Sequence, residues 1–62
     1  MNDQELKQLM LEDLAQIIQS ASSMRVKILK FEIENPASKH LMSVFVEHTI
    51  KGAIELQDKI CQ

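Results

Sequence analysis

Apolar residues recur through the first half of this chain at alternating steps of four and three: Met10, Leu14, Ile17, Ala21, Met24, Ile28 and Phe31. Past Asn35 and Pro36 the same stepping resumes with Met42, Val46, Thr49, Ala53, Leu56 and Ile60. That spacing sets each series along one side of an α-helix, a seam that must be buried. The two series also mirror each other. Met10 pairs with Ile60, Leu14 with Leu56, Ile17 with Ala53, Ala21 with Thr49, Met24 with Val46 and Ile28 with Met42, the paired numbers always adding to the same constant. A chain folded back at residue 35 brings these pairs opposite one another in successive layers. The expectation is an all-α fold and one domain over residues 1–62, an antiparallel two-helix hairpin. Its helices should cover about 3–34 and about 36–60, with the corner at Asn35 and Pro36.

Local signals support these elements. Asn2 followed by Glu5 has the spacing of a helix N-cap with an acidic partner three residues on. Leu6, Leu9, Leu11 and Ile18 widen the first seam, and good helix formers dominate through Gln19. Ser20 to Ser23 make a small-residue waist; no Gly or Pro breaks it, and Ala21 keeps the seam in phase. Residues 25–34 are ambiguous. Val26, Ile28, Leu29, Phe31 and Ile33 alternate with charges and could form a strand, but a strand needs a partner and this chain offers no second candidate. Pairing across a dimer would be required, so helix is the preferred reading. The residue before a proline is pushed out of the α region. Asn35 then suits the N-cap of the second helix, with Pro36 at its first position. A single long kinked helix is the competing reading.

The second helix carries more apolar surface than a hairpin can hide. Leu41 and Phe45 flank its seam on one side, Ile50 and Ile54 on the other, an arc of about 220° at 100° per residue. A helix in a lone hairpin needs roughly half of that. Gly52, on the Leu41 and Phe45 flank, costs about 1 kcal/mol relative to Ala in mid-helix. It is expected to admit the close approach of another helix. On the first helix Val26, Leu29 and Ile33 form an outlying stripe nearly opposite the seam, with Val44 similarly placed on the second. These residues predict a second contact surface. The expected partner or oligomer interface is therefore Val26, Leu29, Ile33, Leu41, Phe45, Ile50, Gly52 and Ile54. The simplest closed arrangement is two hairpins dimerising into a four-helix bundle.

Composition sharpens this picture. Sixty-two residues without a disulfide struggle to offset their conformational entropy alone, yet 45% of them are hydrophobic. Self-association resolves both problems. A net charge of −2 gives no reason to expect a phosphate-backbone partner. Lys27, Lys30, Lys39, Lys51 and Lys59 are interleaved with acids, as on a solvated helical face. No apolar run approaches the ~18–20 residues of a membrane span. The acidic, polar opening predicts no secretory leader, and Cys61 is the only cysteine, compatible with a reducing compartment. The expected location is cytoplasmic.

Candidate chemistry is thin. Glu47, His48 and Glu55 share the second helix, but the di-metal pattern of bundles needs Glu-x-x-His, and the residue three beyond Glu47 is Ile50. His48 is read as solvent-facing or hydrogen-bonded. Thr49 interrupts the second seam opposite Ala21, and its hydroxyl is expected to bond back to a carbonyl one turn earlier. Met10, Met24 and Met42 read as seam filler rather than an adaptable groove. No nucleophile–base set, glycine-rich phosphate loop or metal-spaced cysteine cluster is present. No catalytic, metal or cofactor site is expected.

The segment from Phe31 through Asn35 and Pro36 to Leu41, followed by a helix containing Glu47, His48, Thr49, Ile50, Lys51 and Gly52, resembles the spore coat F family. The acidic lead-in Asp3, Gln4, Glu5 and Leu6 is similar too. The resemblance implies a ferritin-like helical hairpin with a structural, non-catalytic role in a spore-associated assembly. A dimer of hairpins this small also resembles the Rop type of RNA-binding protein. That likeness implies a nucleic-acid regulator, with Arg25, Lys27 and Lys30 forming a basic face despite Glu32 and Glu34 among them.

Overall fold

The computed structural model describes residues 2–31 and 35–62. It contains two helices, α1 over Asp3–Lys30 and α2 over Pro36–Cys61, in contact with each other. No strand occurs among the described residues. The molecule measures 49 × 15 × 14 Å. A helix of 28 residues is about 42 Å long, so both elements lie along the long axis.

Each helix begins as its sequence dictates. The Asn2 side-chain oxygen accepts a 2.9 Å hydrogen bond from the Glu5 N–H, and the Asn2 carbonyl accepts from the Leu6 N–H at 3.1 Å. Asn35 repeats the arrangement for α2: its side-chain oxygen accepts from the Ala37 N–H at 3.0 Å, with Pro36 opening the helix. The backbone of Asn35 is extended (φ −99°, ψ 104°), the conformation a following proline imposes. Acidic Asp3 and Glu5 lie in the first turn of α1, basic Lys27 and Lys30 in its last, both complementing the helix dipole.

α1 runs without interruption through Ser20–Ser23 and on through Arg25–Lys30, so the strand alternative does not hold over that stretch. It stops earlier than the expected residue 34. Phe31 is extended (φ −79°, ψ 122°), its N–H closing the last turn on the Lys27 carbonyl at 2.9 Å. Packed helices stand about 8–10 Å apart, whereas one extended residue spans only about 3.5 Å. A helix reaching Glu34 would leave Asn35 alone to make that crossing. Residues 32–34, with the expected interface residue Ile33, lie outside the described residues.

The core is a file of residues seven apart: Leu14, Ala21 and Ile28 on α1, Val46 and Ala53 on α2. Seven residues fall about 20° short of two full turns, so such a file keeps one narrow line of contact. Val46, only 1% exposed, clusters with Ala21 and Ile28, and Ile50 packs against them.

Candidate functional site

The seam expected from the sequence divides in two. Its alternate members Met10, Ile17 and Met24 remain 42–49% exposed, and Met42 and Leu56 on α2 are likewise exposed. The contact between α1 and α2 buries the file through Ala21 and leaves the file through Ile17 exposed. The second file therefore borders an open apolar groove of about 620 Å³. Val46, Ala21 and Thr49 line it with Ile17, Met24 and Phe45; Asp13, Gln16 and Ser20 complete its lining. Asp13 is the single charge among them.

The groove opens at the level where the chain carries small side chains. Ser20, Ala21 and Thr49 meet there, the layer the mirrored numbering pairs. Thr49 donates its hydroxyl proton to the Phe45 carbonyl at 2.9 Å, the back-bond expected of it. Its polarity is thereby partly satisfied within α2. Phe45, the wall residue, is 66% exposed.

Of the other residues expected at an interface, Val26, Leu29, Leu41 and Ile54 are exposed. Leu29 is 72% so, the most exposed large hydrophobic among the described residues. Ile50 instead packs on the chain's own core. Gly52 is exposed beside His48, Lys51 and Glu55 in a shallow depression. A Cβ built there meets nothing within 4 Å. The chain's own α1 does not approach α2 closely at Gly52, so the expected close approach would have to come from a helix of another chain.

Sequence reasoning missed Ile17, Met24 and Leu56 as surface residues by assigning the whole seam to the interior. No signal in the sequence separates the two files, since one partner helix can close both positions of a heptad stripe.

Among the described residues, electrostatics contribute one link between the helices. Arg25 Nη1 donates to Glu47 Oε1 at 3.3 Å, both side chains being half exposed. No polar or charged residue is buried among the described residues, and no three His, Cys, Asp or Glu there converge as metal ligands. No described helix is long and apolar enough to cross a membrane. The groove itself offers mainly apolar contact. In comparisons with known proteins, no family model, curated protein or solved structure matches the chain.

Proposed function

We propose that this chain is a non-catalytic structural or adaptor subunit, an antiparallel helical hairpin that acts as a homodimer in a four-helix bundle. Unhidden apolar surface carries the reading. The chain exposes 5123 Å². A folded monomer of 7.1 kDa should expose about 4,100 Å². The excess, about 1,000 Å², is comparable to the roughly 800 Å² each partner hides in a standard interface. Fourteen large hydrophobics are exposed among the described residues against five buried residues, so the excess has the chemistry of an interface.

The antiparallel sense follows from reach. Five residues, 31–35, separate α1 from α2. Fully extended they span at most about 18 Å, far short of the ~42 Å needed to return to the start of α1 for a parallel pair. The Arg25–Glu47 contact, late in α1 and in the first half of α2, agrees with a reversal. The resemblance of the Asn35–Pro36 corner to the spore coat F family supports assigning the bundle to a spore-associated assembly.

Light scattering over a dilution series tests this. A dimer or larger closed assembly is the expected result, and a well-folded monomer at all concentrations would overturn it. The RNA-binding alternative draws on fewer free charges, since Arg25 is already paired with Glu47. RNA retention that weakens steeply with salt would favour it instead.

A further inference from the structure

We infer that the groove between α1 and α2 is the seat of the second copy, with Phe45 of each copy anchored in the groove of the other. This rests on the dimer reading above and adds which face makes the dimer. Two observations separate the groove from the remaining apolar surface. First, it is continuous with the core: Ala21 and Val46 belong both to the buried cluster and to the groove lining. A second copy placed there extends one core, whereas a copy placed on Leu29 begins another. Second, the groove lining carries Asp13 as its only charge, while Leu29 has Lys30 beside it in sequence and Gly52 shares its depression with Lys51 and Glu55. Interface centres are depleted in charge. The surface in excess of a folded monomer's, about 1,000 Å², argues for a second copy as the occupant, since a two-fold contact of standard size would cover it.

Symmetry then selects Phe45. In a two-fold interface the same patch faces itself, so a projecting residue and the concavity it fills belong to one patch. Phe45 lines the groove and is largely exposed, and the small Ser20, Ala21 and Thr49 leave the space an aromatic ring needs. Exposed aromatics that enter a partner's pocket carry a disproportionate share of binding energy.

Two charge-introducing variants test the assignment, because Phe45 and Leu29 are similarly exposed within one chain. Phe45→Glu should weaken dimerisation at least about 100-fold by sedimentation or light scattering, and Leu29→Glu by no more than about 3-fold. A dimeric wild type with the reverse order, or with equal effects, overturns the groove assignment and leaves the dimer intact. A monomeric wild type overturns the dimer itself. Should Phe45→Glu fail to fold, milder variants decide. Ile17→Cys and Val26→Cys, each with Cys61→Ser, are compared for maleimide reaction rate. The thiol at position 17 should be protected at high concentration and released on dilution, the one at position 26 reactive throughout. Equal rates at all concentrations overturn the assignment.

Discussion

Arg25 Nη1 and Glu47 Oε1 meet at 3.3 Å across the two helices, the one side-chain hydrogen bond between α1 and α2 among the described residues. Half-exposed pairs of this kind contribute little, because solvent screens the attraction and two long side chains lose freedom. A double-mutant cycle with Arg25→Ala and Glu47→Ala should give a coupling of about 0.2–1 kcal/mol. The coupling should shrink further in 1 M salt, where the Debye length falls to about 3 Å. A salt-insensitive coupling well above that range would mean the pair is desolvated, as it would be beneath a partner.

The packing term is larger and sits elsewhere. Val46 is 1% exposed against Ala21 and Ile28. Val46→Ala removes two methyl equivalents at about 0.8 kcal/mol each and leaves a partly unfilled space, a cost of about 2 kcal/mol. In a chain this short that should lower Tm by about 8–16 °C. The comparison must be made at one protein concentration, since association adds to apparent stability. A shift of a degree or two would place Val46 outside the folding core.

Asn35 caps α2 through its bond to the Ala37 N–H. Asn35→Ala should cost about 1 kcal/mol in urea denaturation, and Asn35→Asp or Asn35→Ser should restore most of it. The conservative variants separate a capping role from a loop contact, because only a side-chain acceptor is common to all three. Failure of both to rescue would show that the cap is not what Asn35 provides.

Both helices were legible in the sequence because their signals are local. Asn2 with Glu5, Asn35 with Pro36 and the four-three stepping each act within a few residues. The end of α1 was not, since Phe31 leaves the helix to meet a demand set by the distance between helices rather than by its own propensity. The candidate site was half legible. Phe45 stood out as surplus apolar surface, yet Ile17 and Met24 were indistinguishable in sequence from Ala21 and Ile28. Periodicity reports that a residue lies on the apolar side of a helix. Which file on that side is closed depends on how the neighbouring helix is set against it.

Gly52 turns that distinction into a measurement. Within one chain a Cβ at this position meets nothing within 4 Å, and glycine in a helix interior costs about 1 kcal/mol relative to alanine. Gly52→Ala should therefore raise stability by up to about 1 kcal/mol in thermal or urea unfolding if nothing approaches α2 there. Gly52→Leu then should be tolerated as well, its side chain lying in solvent beside His48 and Glu55. If a second helix does come close at Gly52, alanine gains less and leucine overpacks, lowering both Tm and the dimer fraction. Gly52 is not among the residues that line the groove. A stable Gly52→Leu hairpin is therefore the expected outcome. Because Gly52 shares the flank of Phe45 two turns further on, a monomeric one would mean that the contact around Phe45 extends along α2 to Gly52.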